Sequence, residues 1–160
     1  MLIRIIAVGT KMPDWVESVS SDYLQRMPPD IKIEWHEIKA EKRSDKRITP
    51  EEAERCMSKE AERIQFALPH EAHLVCLDEN GHSLDSPQLA KQLQSWRENA
   101  RPVALVIGGP DGIHPSLKAR AQQKLSLSRL TLPHPLVRVV LAEQLFRAWS
   151  ILSLHPYHRI

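Results

Sequence analysis

"VALVIGGPDG", residues 103–112, joins five uninterrupted apolar residues to a turn that holds Gly108, Gly109 and Gly112. A short, continuous apolar run closed by glycine is the pattern of a strand buried on both faces. Such strands belong to parallel sheets covered by helices on both sides. In open parallel sheets, ligands bind beyond the C-terminal ends of the strands. The glycine turn is therefore either a tight structural connection or a place where a ligand comes close to the backbone.

The same alternation recurs outward from this stretch. On the N-terminal side, "AHLVCLD" (72–78) predicts a second buried strand, with "ENGHS" as the turn after it. Ser86-Pro87 then opens a helix that sets Leu89, Leu93 and Trp96 on one face. Leu2 to Gly9 predicts a buried strand, and Trp15, Val16, Val19, Tyr23 and Leu24 predict an amphipathic helix over Pro13 to Met27. Pro28-Pro29 ends that helix. Ile31, Ile33 and Trp35 alternate with Lys32, Glu34 and His36, the period of a half-exposed strand.

Lys39 to Arg47 has no periodicity and carries five basic residues, so it is either a mobile solvated loop or a binding element. Thr49-Pro50-Glu51-Glu52 is a capping box that starts a helix, with Ala53, Cys56, Met57, Ala61 and Ile64 as its buried stripe. After the glycine turn, the pattern predicts a helix from Pro115 to about Lys124 and a short strand near Leu127 to Leu132. A last helix runs from Pro135 to about Ser153. Strands alternating with helices, without a repeat or a long linker, predict one α/β domain over residues 1–160. Its architecture is a three-layer αβα sandwich on about five mostly parallel strands.

Several functions are excluded or disfavoured. The first strand is followed by "VGTKMP", which is neither a dinucleotide fingerprint nor a P-loop. P-loop phosphate chemistry is therefore excluded, and glycines placed after a late strand disfavour conventional doubly wound binding. No Ser-His-Asp arrangement is readable, and neither Cys56 nor Cys76 sits beside a plausible base. Two cysteines without metal spacing predict buried reduced thiols in a cytoplasmic protein. No stretch has the length of a signal core or a membrane span. A net charge of +2 does not itself predict a nucleic-acid partner, so any anionic partner needs a local concentration of positive charge.

Two further segments invite chemistry. In "SRLTLPHPLVR" (128–138), Pro133 and Pro135 flank His134, giving a stiff loop that either presents backbone groups to a planar ligand or simply connects two elements. The last helix is apolar around nearly its whole circumference, so it lies in the middle of the domain or in a subunit interface. Its polar exceptions include Arg138 and the pair Glu143 and Arg147, one turn apart. The chain then closes on "HPYHR", residues 155–159. His-x-x-His is a weak metal motif without a third ligand, whereas histidine, tyrosine and arginine together suit a nucleobase or polyanion.

"VGTKMPDW" (8–15), "IGGPDG" (107–112) and "LSLSRLTLPHPLVRVVLAEQLFRAWSILSLHPYHR" (125–159) closely resemble the ribosomal RNA large subunit methyltransferase H family. The resemblance spans the chain and is strongest over its last third; over about 39–70 it is one of layout. It implies a SPOUT-class methyltransferase that transfers a methyl group from S-adenosylmethionine to N3 of a pseudouridine in 23S rRNA. It further implies a C-terminal trefoil knot, a donor held by the knot loops, no metal, and a homodimer whose interface includes the knotted region. The expected substrate is 23S rRNA within the large subunit or whole ribosome.

Carried over residue by residue, the donor pocket would use Leu77, Gly108 and Gly109, and the loop formed by Ser128, Arg129, Leu130, Thr131, Leu132 and Pro133. Asp111 stands where the family commonly has glutamate, and "ENGHSLDS" departs from the commoner turn after the middle strand. N3 of pseudouridine must lose an imide proton before it can attack, which calls for a base within hydrogen-bond reach. By chemistry and position His158 is the candidate base, Tyr157 a stacking or orienting group, and Arg159 and Arg138 anion contacts. His155, Lys42 and Arg43 are candidate substrate contacts, with Lys46 and Arg47 completing a basic surface. A non-catalytic ribosome-binding or assembly protein, and a SPOUT enzyme acting on tRNA, are the alternatives.

Overall fold

Val103–Ile107 lies in the middle of the sheet with all five side chains buried, as an unbroken apolar run requires. The computed structural model describes residues 1–44 and 47–159. In chain order the elements are β1 (Leu2–Val8), α1 (Asp14–Gln25), β2 (Lys32–Ile38), α2 (Pro50–Ala67) and β3 (His73–Ser83). They continue as α3 (Ser86–Glu98), β4 (Val103–Ile107), α4 (Pro115–Arg120), β5 (Gln123–Ser126) and α5 (His134–Leu152). The five strands form one sheet in the order β2-β1-β4-β3-β5, and every pairing is parallel.

Alternate side chains of the central strands feed two cores, as the period of a strand dictates. Ile3, Ile5, Val103, Leu105 and Val75 pack with α3 and α5, and Leu24 of α1 closes against the same core. Ile6, Val8, Leu74, Cys76 and Val106 pack with Ala61 and Ile64 of α2 and Leu117 of α4. Each fully buried aliphatic side chain contributes about 1.5–3 kcal/mol. α5 follows the edge strand β5, yet it returns to lie between α1 and α3. Leu141, Ala142, Leu145, Phe146 and Ala148 are buried there, whereas Leu136 is exposed and Val139, Val140 and Trp149 are only half-buried. To reach that place the chain crosses the side of the sheet where β3 already connects to α3, a route consistent with the expected knot.

The structure differs from the sequence reading in four places. "ENGHS" is no turn: β3 continues through it to Ser83, with a bulge between Leu77 and His82. Gly81 makes this possible, since a Cβ there would stand 2.7–2.8 Å from the Lys124 and Leu125 backbone. α4 is shorter than predicted and the last strand comes earlier, at Gln123–Ser126, leaving 127–133 as loop. In α1, Val16 is buried but Trp15 and Val19 are exposed; Ser20 takes the inward place. Finally, Thr49 caps α2 by accepting the Glu52 amide, but the Glu52 carboxylate binds Ser44 instead of closing the capping box.

Candidate active site

The C-terminal ends of β1, β4 and β5 and residues 77–80 in the middle of β3 converge on a cavity of about 790 Å3. Its walls come from the Gly108–Gly112 turn, the loop after β5 and the N-terminus of α5. Of the donor residues expected from sequence, Leu77, Gly108, Gly109, Ser128, Leu130, Thr131, Leu132 and Pro133 all line it. Arg129 belongs to the same loop without lining the cavity.

Backbone forms much of this wall because side chains have no room. A Cβ on Gly108 would stand 2.6 Å from the Gly112 carbonyl carbon. One on Gly109 would stand 3.0 Å from Val8 and 3.3 Å from the Glu60 carboxylate. The loop after β5 is braced by its serines: the Ser126 hydroxyl donates to the Ser128 carbonyl at 2.8 Å, and Ser128 Oγ accepts the Leu130 amide at 2.9 Å.

Among the polar residues of the cavity that the sequence reading did not name as site candidates, three stand out. Asp78 and Lys118 pair at 3.2 Å. Burial works against the Asp78 carboxylate, but the Asn80 amide and Lys118 together hold its carboxyl below the usual range. The third is His134. Asp78 was findable as the polar residue directly after a buried strand, and His134 by its place between two prolines. No sequence signal marked Lys118.

Arg138 is not a substrate contact within this chain. Its side chain is 6% exposed, and each nitrogen is committed: Nε to His134 Nε2 at 2.9 Å, Nη1 to Glu37 at 2.7 Å, Nη2 to the Gly9 carbonyl at 2.7 Å. Arg43 is likewise occupied. It bridges Glu60, at 2.8 and 3.0 Å, and Asp111, at 2.8 Å, with its own side chain 12% exposed. The β2–α2 loop around Arg43 is therefore strapped to α2 and to the glycine turn. Lys42 and Arg47 are exposed beside it, and Lys46 lies outside the described residues.

The tail is ordered through Arg159 and folds against α1 and α5 at the far end of α5 from the cavity. The Tyr157 ring packs edge-on against Phe146, 4.8 Å between centroids, with Tyr23, Arg26 and Arg147 around it. Its hydroxyl donates to Glu143 Oε1 at 2.8 Å. Burial, with hydrogen bonds to Tyr23 and Glu143, raises the phenol above its ordinary range, so Tyr157 holds its proton at neutral pH. His155 packs between Phe146 and Trp149, and its Nδ1 accepts the Tyr157 amide. His158 Nδ1 is buried without a partner, and Arg159 is exposed. No tail residue lines the cavity of its own chain. The 19 residues of α5 separate the two by about 28 Å at 1.5 Å per residue. The sequence reading expects the tail near a donor pocket, its own or the partner subunit's; within one chain the two lie at opposite ends of α5.

Among the described residues no group of three potential ligands could hold a metal ion, and no helix is long and apolar enough to cross a membrane. A parallel α/β sheet whose ligand cavity is walled by the loops of late strands defines a small-molecule-binding class distinct from nucleotide folds with their glycines after the first strand.

Comparison with known proteins sharpens that class. Residues 1–158 match the family described as "Predicted SPOUT methyltransferase". The proteins called ribosomal RNA large subunit methyltransferase H from Paraburkholderia xenovorans and Paraburkholderia phymatum are 52% and 51% identical, each over 160 residues that cover 100% of both chains. The Burkholderia mallei protein of that name is 51% identical over 99% of each chain. A probable methylase family protein from Haemophilus influenzae superposes with a TM-score of 0.57 at 10% identity, covering 99% of this chain and 70% of its own, a likeness of fold alone. The chain belongs to the SPOUT methyltransferases, in the ribosomal RNA large subunit methyltransferase H family.

Proposed function

We propose that residues 1–160 act as one domain that methylates N3 of a pseudouridine in 23S rRNA, with S-adenosylmethionine as donor, in the cytoplasm and on the assembled large subunit or ribosome. The observation that carries this reading is the cavity of about 790 Å3, part of whose wall is glycine backbone packed too closely against Gly112, Val8 and Glu60 to carry side chains. A nucleoside with a short amino-acid arm fits such a space: planar groups lie against backbone amides and carbonyls, and carboxylates such as Asp78 and Glu79 suit its cationic end. When bound, the donor supplies an electrophilic methyl group on a sulfonium.

The chain's own work is then positioning and proton removal. His158 is the base for the imide proton. Tyr157, whose hydroxyl is given to Glu143, orients the nucleobase by stacking, and Arg159 stabilises the developing imide anion. Because α5 separates each tail from its own cavity, we infer that the working enzyme is a homodimer in which the tail of one copy serves the pocket of the other. His155 supports the tail rather than touching substrate, and Lys42 and Arg47 supply exposed charge for phosphates.

Calorimetry with S-adenosylmethionine, followed by tritiated-methyl transfer to ribosomes, free rRNA and tRNA, tests the reading. Donor binding with label confined to 23S rRNA is expected. Binding without transfer to any RNA would favour a non-catalytic assembly protein, and label in tRNA would move the substrate class.

A further inference from the structure

His134 lies in the cavity wall at the start of α5, bonded to Gly108 and Arg138, and nothing in the chemistry above uses it. Its Nδ1 lies 3.1 Å from the Gly108 carbonyl, which can only accept, so Nδ1 carries the proton. Its Nε2 lies 2.9 Å from Arg138 Nε, which can only donate, so Nε2 is the bare acceptor. Arg138 is nearly buried and anchored at its other two nitrogens by Glu37 of β2 and the Gly9 carbonyl just after β1. One ring thus ties the start of α5 to the ends of three neighbouring strands.

We propose that His134 is a positioning residue of the donor pocket: its neutral ring, with the proton on Nδ1, holds the Gly108 carbonyl in register, and full donor affinity requires that form. This rests on the cavity being the donor site. Protonation would set a second N–H against Arg138 Nε–H and place two cations in contact. Arg138 cannot yield without abandoning Glu37 and Gly9, so the ring must move and release Gly108. The turn tolerates little displacement there, since Gly108 already sits against the Gly112 backbone.

The charged groups that act on the ring are Arg138 from its own helix and Glu37 from β2, while the β4 turn contributes only the Gly108 carbonyl. Burial first, and the Arg138 charge second, hold the ring's titration below the ordinary histidine value. The neutral form therefore prevails at neutral pH and is lost as pH falls through that lowered value.

The test is calorimetry of the full chain with S-adenosylhomocysteine between about pH 5 and 8. This probe lacks the sulfonium charge, so a simple repulsion between cations cannot imitate the effect. Wild-type affinity is expected to fall by up to about tenfold per pH unit below the ring's titration. His134→Asn keeps an N–H near the Nδ1 position and cannot titrate there. It should keep part of the wild-type affinity at pH 8 and show a flat profile, apart from any titration of the probe itself. His134→Ala, or His134→Gln if the alanine variant does not fold, should bind about tenfold more weakly at every pH. A wild-type profile no steeper than that of His134→Asn overturns the inference alone. Wild type that binds no donor at any pH overturns the proposed pocket and this inference with it.

Discussion

At the residue scale, the pocket depends on atoms that are missing. Gly108 is not required by an unusual backbone angle; it is required because the Gly112 backbone passes where its Cβ would be. Gly108→Ala should open the turn and weaken donor binding by at least about tenfold, with a lowered melting temperature but a wild-type circular dichroism spectrum. Unchanged donor affinity in that variant would remove the glycine turn from the site. Such close contacts were half legible. Three glycines after a late strand pointed to the right loop, but only coordinates show what each one faces. Arg138 illustrates the opposite failure: an arginine among apolar neighbours looked like an anion contact, and it is a buried brace.

At the scale of elements, alternation and apolar runs located nine of the ten helices and strands among the described residues, because those signals are local; the short edge strand was expected at 127–132 and lies at Gln123–Ser126. The errors fall where distant backbone decides. β3 extends through "ENGHS" because β5 comes alongside it, and no periodicity within residues 79–83 announces a neighbour more than forty residues later. The β2–α2 loop is a second case. Its basic run looked solvated, yet Glu60, 2% exposed and on the inner face of α2, draws Arg43 inward, and Asp111 fixes its other edge. Arg43→Met would strand a buried carboxylate whose remaining partner among the described residues is the Glu41 amide. It should lower stability by about 3 kcal/mol, roughly 6–12 °C in melting temperature for a chain of this size. Asp111→Asn leaves the Arg43–Glu60 contact intact and should cost less than about 1 kcal/mol. Equal melting temperatures for Arg43→Met and wild type would return this loop to solvent.

At the scale of the whole molecule, one chain carries the two parts of the proposed active site at opposite ends of its last helix. The sequence made both parts visible, the stiff loop before α5 and the polar tail after it, but nothing local states that a straight 19-residue helix will hold them apart. A tail packed on its own α5 and α1 through Tyr157, Phe146 and Glu143 cannot also reach its own pocket. If it takes part in transfer, it does so across an interface between two copies, and this is open to a complementation experiment. Gly108→Ala should inactivate through the pocket, and a His158→Ala, Arg159→Ala double variant through the tail. Neither should transfer methyl groups alone. Mixed dimers, made by co-expression with two affinity tags and purified in tandem, contain one pocket and one tail that are both intact and belong to different chains. About half of wild-type transfer per dimer is then expected, because an isologous pair offers two equivalent sites and one is whole. Mixed dimers as inactive as their parents would mean that each tail works with its own chain's pocket, or not at all, and the cross-subunit site would fall.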